Sequence, residues 1–313
     1  MSDQPSQRIT RVLVLHYSQT GQLSRVLQSV VAPLQQSDAV EVVCQDIQPL
    51  ENYPFPWPFF RFINTFPEAS HDVGCQLHPM NTLGSEDFDL VILGYQVWFL
   101  SPSIPITGFL KSADAQSLLA GKPVITVIAC RNMWLMAQEK IKGHLSRLGA
   151  RLIGNVALVD EAGTAASFLS TPLWVLTGKK GPFPLGIPAA GVSEQDITEA
   201  GRFGKAIAAR LLSGDPLDET VLQGLGAVTV NEKLIASEKM AARSFYLWGK
   251  LFRALGGPDA WLRKPLVLVY AVFLLTLILT VVPLTALLKK LMGPFTAKRT
   301  LRQKRYFSAP SGE

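Results

Sequence analysis

The stretch VLVLHYSQTGQL, residues 12–23, contains a buried strand, a turn and the start of a helix. Its first five residues form an apolar run that is typical of a buried β-strand. The polar turn that follows ends at Gly21, and from Leu23 to Leu34 the apolar residues recur at the spacing of one helix face. A strand that leads directly into a helix predicts the first β–α unit of an α/β domain.

Four more apolar runs alternate with helical patterns along the next two-thirds of the chain. The runs lie at residues 40–44, 89–94, 124–129 and 152–159, and helical spacing recurs at 105–119, 133–148 and 193–212. Continuous apolar strands between helices indicate a parallel sheet that is covered on both faces. The sequence therefore predicts a doubly wound α/β domain with a five-stranded parallel sheet over residues 8–215.

Two insertions interrupt this domain, at residues 46–87 and 161–191. The first includes YPFPWPFFRF (residues 53–62), where the prolines argue against a regular helix. It is either a loop packed on the sheet edge or an apolar wall of a ligand pocket or a membrane-facing lid. The second insertion is apolar and rich in Gly and Pro, and we expect a substrate lid or a membrane-contact loop.

The composition excludes several classes of protein. The chain has 313 residues, of which 48% are hydrophobic and 17% charged, so it is not a disordered chain. Three cysteines are too few for a disulfide framework, and the four histidines show no metal-ligand spacing, so we predict no metal site. The charge is uneven: residues 1–237 hold 17 Lys and Arg against 21 Asp and Glu, whereas residues 238–313 hold 13 against 3.

The basic C-terminal part surrounds a long apolar run. Residues 216–264 are read as a linker and an amphipathic basic segment, and residues 289–313 as a basic tail. Between them, residues 265–288 (PLVLVYAVFLLTLILTVVPLTALL) form 24 residues without a charge. As a helix this run would be about 36 Å long, enough to cross a bilayer core of about 30 Å. The sequence therefore predicts a transmembrane or membrane-embedded helix, with a buried core helix as the alternative.

Basic residues on both sides of the run leave its topology open between a span, a re-entrant segment and an interfacial segment. The first twenty residues are polar and show no signal peptide. We expect a protein of the bacterial cytoplasmic membrane with its folded domain on the cytoplasmic side. An anionic lipid surface is the expected partner of the basic tail, rather than nucleic acid.

The turn after the first strand has the composition of a phosphate-binding loop. A loop that opens a helix at the carboxyl edge of a parallel sheet offers unpaired N–H groups and the positive end of a helix dipole. The turn lacks the glycines of a dinucleotide fingerprint and the GK[ST] of an NTPase loop. Short neutral donors suit a monophosphate, and the residues concerned are Ser18, Gln19, Thr20, Gly21, Gln22 and Leu23.

This loop resembles the first loop of the flavodoxin family, [ST]-x-T-G-x-[ST]. Ser18 to Gln22 match it, and Leu23 departs from it by lacking a hydroxyl, with Ser24 as a substitute. The resemblance implies a flavodoxin-like fold and FMN as the cofactor. Two further loops would then face the flavin. The residues expected there are Tyr95, Gln96, Val97 and Trp98 after the third strand, with Gln96 where the family has proline, and Cys130, Arg131 and Asn132 after the fourth.

Each of these residues also has a structural interpretation. Trp98 could be a core residue, and Asn132 could cap the next helix. For Trp98 and Tyr95 the functional interpretation is stacking on the flavin ring. Arg131 and Asn132 would donate hydrogen bonds to the flavin or to a substrate oxygen.

Over residues 8–212 the chain resembles proteins described as dialkylresorcinol condensing enzymes, a flavodoxin-like group of bacterial aryl-lipid pathways. The segments that carry this resemblance are HYSQTGQL, YPFPW, GYQVWFLSPSIP, CRNMWLMAQEK, GNVALVD and TGKKG. Condensation needs an activated thiolate beside histidines. Cys130 is the only cysteine at a strand end, and the next histidine is His144, so the residues fit that chemistry poorly.

The hypothesis we prefer is an FMN-dependent aromatising oxidation of an alkylcyclohexanedione, a small hydrophobic alkyl ring made by a separate ketosynthase. Such a reaction needs a base, and the candidate catalytic residues are Asp160, Arg131 and Tyr95, with Glu161, Tyr17 and His16 as further candidate bases. One alternative is a flavodoxin-like electron-transfer protein or an NAD(P)H:quinone reductase. Another is a non-catalytic membrane scaffold. The oligomeric state stays open.

Overall fold

The computed structural model describes residues 8–80, 87–160, 162–281 and 298–312. Its strands are β1 (Thr10–His16), β2 (Val40–Asp46), β3 (Leu90–Tyr95), β4 (Val97–Trp98), β5 (Ser101–Pro102), β6 (Pro123–Cys130) and β7 (Arg151–Val159). Five of them form a parallel sheet in the order β2-β1-β3-β6-β7, and β4 pairs with β5 in a short antiparallel hairpin. This is the flavodoxin-type order of a doubly wound sheet, so the predicted five-stranded parallel sheet is confirmed.

Helices connect and cover the strands. They are α1 (Gln22–Val31), α2 (Phe59–Ser70), α3 (Ile104–Leu110), α4 (Ala113–Leu119), α5 (Leu135–Arg147), α6 (Gly163–Thr177), α7 (Glu194–Glu199), α8 (Gly201–Ser213), α9 (Glu232–Ala254) and α10 (Arg263–Thr276). A π-helical segment, Leu277–Val281, continues α10, and residues 298–308 are also helical.

The apolar side chains of the sheet enter two cores, one on each face. On one face α1, α7 and α8 cover β1, β3 and β6, with Val26, Phe203 and Ile207 fully buried. The opposite core contains Phe109 from α3 and Ile141 from α5. Alternate burial on two faces is the reason that these strands read as continuous apolar runs. Helices α1 and α8 approach so closely that a Cβ on Gly204 would lie 1.8 Å from the carbonyl oxygen of Val30.

Both insertions contain a helix that the sequence pattern did not predict. In the first, the backbone is irregular up to Pro58, and α2 begins at the next residue, so the prolines exclude a helix only before Phe59. In the second, α6 continues through Pro172. Proline therefore marks the entry to α2 at Pro58, and both helices also tolerate a proline in their interior, Pro67 in α2 and Pro172 in α6.

The segment predicted as a linker, residues 216–264, is packed onto the domain. Leu222 and Ala227 are fully buried in the core beside α8, and Val221 is 5% exposed. Helix α9 lies against α2 and α5. The folded unit therefore includes these residues.

The predicted C-terminal membrane helix, residues 265–288, is not supported. In the described part of the chain no helix combines the length and the apolar character that a bilayer crossing needs. Residues 265–281 form α10 and its π-helical continuation, and residues 282–288 lie outside the described residues. One face of α10 packs through Val267 and Tyr270 against α2 and α9, so the apolar residues of that face serve a tertiary contact. A hydropathy pattern alone does not distinguish such a helix from a spanning one.

Candidate functional site

The chain crosses from one side of the sheet to the other between β1 and β3. From β1 it proceeds to the edge strand β2 and then returns to the opposite neighbour, β3. In open α/β sheets ligands bind at such a switch point, outside the carboxyl ends of the strands. The loops that follow β1 and β3 flank this point, and they meet there, because the rings of Tyr17 and Trp98 lie edge to face with centroids 5.9 Å apart.

The loop after β1 presents an open helix N-terminus. Gly21 adopts a left-handed conformation with φ 76° directly before α1, and as the N-cap residue it has no side chain with which to cap the helix. A Cβ at Gly21 would meet nothing within 4 Å, so the space beside it is open. Among the described residues the buried hydroxyl of Ser18 has no hydrogen-bond partner. Unpaired N–H groups, the helix dipole and an unused hydroxyl together suit an anion.

Not every residue of this loop is available to a ligand. Leu23 is 1% exposed and belongs to the core, so its side chain does not face the open space. Ser24, the expected substitute donor, is engaged with Nε2 of His16 at 3.1 Å. The Thr20 hydroxyl accepts a hydrogen bond from the backbone N–H of Gln22 at 3.4 Å, and the Gln22 amide donates to Val192 O at 3.5 Å. Both are long contacts that a ligand could replace.

Gln19 ties the loop to the aromatic insertion. Its Nε2 donates to the carbonyl oxygen of Pro54 at 2.7 Å, and its Oε1 accepts from the indole Nε1 of Trp57 at 2.9 Å. This fixes the YPFPW segment over the loop. The amide of Gln19 therefore holds the insertion against the loop, and both of its ends are already hydrogen-bonded and not free to bind a phosphate.

Trp98 forms the centre of an aromatic cluster. Its ring lies 5.0 Å from Tyr53 and 5.4 Å from Trp57, with interplanar angles of 69° and 81°. These edge-to-face contacts are the favourable arrangement for aromatic pairs. The aromatic insertion thus packs around Trp98 beside the loop after β1, and its role as the wall of a ligand pocket stays a prediction. Sequence analysis did not select Tyr53 and Trp57 individually, although their aromatic density was the signal.

A strained turn positions Trp98. Phe99 and Leu100 have φ of 50° and 61°, and they join β4 to β5 as the two central residues of a tight hairpin. Positive φ at both positions is the geometry of a type I′ turn, which usually contains Asn and Gly. Bulky residues there carry a conformational cost of about 1–3 kcal/mol each. The cost is offset by packing, because Leu100 is buried and Phe99 lies 5.0 Å from Phe62.

Of the other residues expected to face the flavin here, Gln96 and Val97 follow β3, and Tyr95 is its last residue. Gln96 is partly buried, and its Oε1 has no hydrogen-bond partner among the described residues. Val97 packs against the core. Tyr95 does not reach the site at all: its side chain is fully buried and its hydroxyl donates to Gln138 Oε1 at 2.6 Å. The expectation that Tyr95 stacks on a flavin or acts as a base is therefore wrong for this conformation, since the last residue of β3 points into the core.

The loop after β6 places a partly buried cation, Arg131, beside a buried carboxylate, Asp160. Burial lowers the pKa of Arg131 to about 10, and the negative charge of Asp160 partly opposes this. Asp160 is 5% exposed and accepts hydrogen bonds from the N–H groups of Ala162 and Gly191, at 2.7 and 2.9 Å, and from the Thr171 hydroxyl at 3.3 Å. A carboxylate with three donors organises the loops around it, which leaves it poorly suited to accept a substrate proton.

Cys130 and Asn132 are partly buried on the same loop. Burial, together with the charges of Glu238 and Asp160, raises the pKa of the Cys130 thiol well above its ordinary value. A thiol of this kind is a poor nucleophile at neutral pH. This agrees with the expectation that the residues do not suit a thioester condensation. Of the remaining base candidates, Glu161 lies outside the described residues.

A polar cavity of about 380 Å³ adjoins the loop on the side of β2. His16, at the end of β1, and Asp46, at the end of β2, contribute to its wall and lie 3.2 Å apart (Nε2 to Oδ1). Burial lowers the pKa of His16, with the charge of Asp46 opposing the shift. The remaining lining residues are Tyr17, Ser18, Ser24, Ile47, Gln48, Pro49, Asn52 and His78.

Comparison with known proteins gives distant structural likenesses only. No family model and no curated protein matches the chain. A flavoprotein from Bacteroides uniformis is 17% identical with a TM-score of 0.37, over 53% of this chain and 97% of that one. A flavoprotein in complex with FMN from Lactobacillus acidophilus is 16% identical with a TM-score of 0.34, over 47% and 93%. Oxidised flavodoxin 1 from Bacillus cereus is 18% identical with a TM-score of 0.32, over 62% and 95%. At these scores, the flavodoxin-like fold rests on the strand order of the chain itself.

Proposed function

We propose that the chain binds FMN at the β1/β3 switch point. The observation that carries this proposal is the glycine-capped N-terminus of α1 beside the hydroxyl of Ser18, which has no hydrogen-bond partner among the described residues, in a loop whose Tyr17 ring contacts Trp98. The phosphate would be held by the hydroxyls of Ser18 and Thr20 and by backbone N–H groups after Gly21. Trp98 would contact the ring, and Gln96 would offer a hydrogen-bond acceptor to its polar edge.

In this proposal the chain uses FMN for the oxidative aromatisation of an alkylcyclohexanedione, a step of dialkylresorcinol (aryl-lipid) biosynthesis. Conversion of the ring to a resorcinol removes two hydrogens. Bound FMN supplies a hydride acceptor, and the proton goes to a base. A ketosynthase partner would supply the ring. The resemblance to dialkylresorcinol proteins supports this step, and so does the raised pKa of the Cys130 thiol, which argues against condensation by this chain.

The residues of the site have separate tasks. The aromatic rings of Tyr53 and Trp57 exclude water and offer an apolar surface for a hydrophobic ring. Arg131 holds a partly buried positive charge that would stabilise an enolate oxygen of the substrate. Asp160 and Tyr95 are left out of the proton transfer, because the first is held by three donors and the second is enclosed in the core.

The test of the cofactor is the visible absorption spectrum of the full chain. The whole chain is required, because residues 221–252 contribute to the core. We expect a bound-flavin spectrum and FMN after heat release. Thr20→Arg fills the loop and should abolish flavin binding, whereas Thr198→Arg, on the exposed surface of α7, should leave it unchanged. A folded wild-type protein that is colourless and takes up no added FMN would overturn the proposal and favour a scaffold role.

The test of the reaction compares two substrates with the FMN-loaded protein. An alkylcyclohexane-1,3-dione should be converted to a product lighter by two hydrogen atoms, with bleaching of the flavin under anaerobic conditions. Bleaching by NADPH followed by quinone reduction, without any conversion of the dione, would assign the protein to quinone reduction or electron transfer instead.

A further inference from the structure

Helix α10 carries a row of exposed aliphatic side chains on the face that points away from the domain. Leu268 is 53% exposed and Val272 is 66% exposed. The row continues with Val269 at 57% and Leu275 at 58%, and it extends to Leu279, 66% exposed, in the π-helical continuation. Their spacing of three and four residues places them along one side of the helix. Folded proteins rarely leave a continuous aliphatic row of this kind in water without a partner.

The orientation of this row is fixed by the opposite face of α10. There, Arg263 is 1% exposed and forms a bidentate ion pair with Glu68 of α2, at 2.9 and 3.2 Å. Tyr270 stacks on Phe66 with centroids 4.5 Å apart. A helix held in this way cannot rotate its aliphatic row inward. The row is therefore a stable feature of the surface of the domain.

The edge of the row has the residues of a membrane interface. Trp261 and Leu262 directly precede α10 and are 73% and 43% exposed. Exposed Lys264 lies in the first turn of α10, and exposed Lys250 and Arg253 lie in the last turns of the preceding helix, α9; within the described ranges none of the three forms an ion pair. Aliphatic residues bordered by tryptophan and lysine are typical of helices that lie in the headgroup region of a bilayer.

We propose that this surface, the α10 surface (Trp261, Leu262, Leu268, Val269, Val272, Leu275 and Leu279), docks peripherally on an anionic phospholipid bilayer. Anionic headgroups complement the free lysine and arginine charges. Protein–protein interfaces, in contrast, are depleted in lysine, and their cores favour aromatic residues over an aliphatic row. The helix lies on the membrane and does not cross it, since its inner face stays packed on α2. The proposal does not depend on FMN.

Vesicle sedimentation tests the docking. The full chain is mixed with sucrose-loaded vesicles of phosphatidylcholine alone or with phosphatidylglycerol added. We expect the protein to sediment with the anionic vesicles and its partitioning to fall about tenfold or more on zwitterionic ones, since these lack the net negative charge that attracts the basic residues. Binding to the anionic vesicles should also weaken as salt is raised.

Two variants with matched exposure locate the contact. Val272→Glu with Leu275→Glu introduces charges into the row and should abolish sedimentation with vesicles. Leu212→Glu, at a 52% exposed site on α8, should bind as the wild type does. Circular dichroism and flavin content should be unchanged in all variants, which separates failure of docking from failure of the fold or of the cofactor site.

Three results would overturn the proposal. One is equal binding of the double variant and the wild type. Another is no binding of the wild type to anionic vesicles. The third is a lipid-independent dimer in sedimentation velocity that the double variant dissociates, because a second copy of the chain would then cover the row.

Discussion

The indole Nε1 of Trp57 donates a hydrogen bond to Oε1 of Gln19 at 2.9 Å, which joins the aromatic insertion to the loop after the first strand. The other end of the same amide donates to Pro54. One side chain thus holds two segments that are more than thirty residues apart. The insertion then packs on Trp98, so the order of the candidate pocket depends on Gln19.

Gln19→Leu should therefore loosen the aromatic wall. It leaves the indole N–H of Trp57 without its acceptor, and we expect a loss of about 1–3 kcal/mol in the free energy of unfolding. Urea unfolding followed by tryptophan fluorescence measures this loss of stability. The emission of the native variant should shift to longer wavelength as Trp57 becomes more exposed to water. Gln195→Leu, which removes an exposed amide contact on α7, is the control and should change stability little. Equal stability of the two variants would show that the Gln19 amide does not hold the wall.

Two glycines with open surroundings should respond to alanine in opposite ways. A Cβ at Gly21 or at Gly143 would meet nothing within 4 Å, but only Gly21 has a positive φ. Gly21→Ala should cost about 1–2 kcal/mol, since an L-residue is strained in that region. Gly143→Ala lies within α5 and should stabilise by about 0.5–1 kcal/mol. Chemical denaturation of both variants checks the difference in sign, and only Gly21→Ala should also weaken FMN binding.

The buried carboxyl group of Glu238 should make the free energy of unfolding fall as the pH rises. Its side chain is fully buried, its Oε1 accepts from the backbone N–H of Met136 at 2.7 Å, and burial raises its pKa from 4.5 to about 7. The native state then keeps a proton that the unfolded chain releases between pH 4.5 and 7. The stability that this proton contributes is fully present below pH 4.5, the pKa of the unfolded chain, and it is lost as the pH rises through about 7, the pKa in the native state. The free energy of unfolding should fall by about 2–3 kcal/mol over this range.

Unfolding of the wild type and of Glu238→Gln at pH 5 and pH 8 measures this contribution. The glutamine keeps an oxygen for the N–H of Met136 but does not ionise, so its profile should be flatter by the same amount. Parallel profiles for the two proteins would mean that Glu238 titrates at its ordinary pKa.

At the hairpin residue Leu100, glycine should destabilise the protein less than alanine does, which is the reverse of their usual order. At φ 61° glycine is unstrained, so Leu100→Gly should be more stable than Leu100→Ala by about 1 kcal/mol, although both lose the buried leucine side chain. At Leu145, a buried position in α5, the alanine variant should be the more stable one. Urea unfolding of the glycine and alanine variants at both positions measures the four free energies of unfolding. The same order at both positions would argue against the left-handed turn.

Removal of Glu68 should release α10. Glu68→Ala leaves the buried guanidinium of Arg263 without its carboxylate, and loss of one partner of a buried pair costs about 3–5 kcal/mol. Glu199→Ala, at an exposed pair with Arg202, should cost less than about 1 kcal/mol. Hydrogen exchange should show lower protection over residues 263–276 in the first variant alone. Unchanged protection there would mean that the ion pair does not dock the helix.

The sequence by itself determined the sheet and its first loop. The five apolar runs correspond to β1, β2, β3, β6 and β7. The central strands are apolar because both faces of the sheet are covered, whereas the edge strand β2 also carries exposed polar residues such as Glu41 and Asp46. The turn around Gly21 was recognisable from its short neutral donors and its glycine, placed between an apolar strand and a helical pattern. The positions of Ser18 and Trp98 at the switch point follow from the same local order of strand, loop and helix.

Only the tertiary structure decided what covers each element. Tyr95 and Trp98 are three residues apart, yet one points into the core and the other joins the aromatic wall, because β3 ends between them. The run from residue 265 has the hydropathy of a membrane helix, but Arg263 and Tyr270 dock its inner face on α2. Asp160 looked available as a base until its three donors were known. Hydropathy and spacing report how apolar a face is, whereas its partner is set by contacts between residues distant in the sequence, which local patterns do not record.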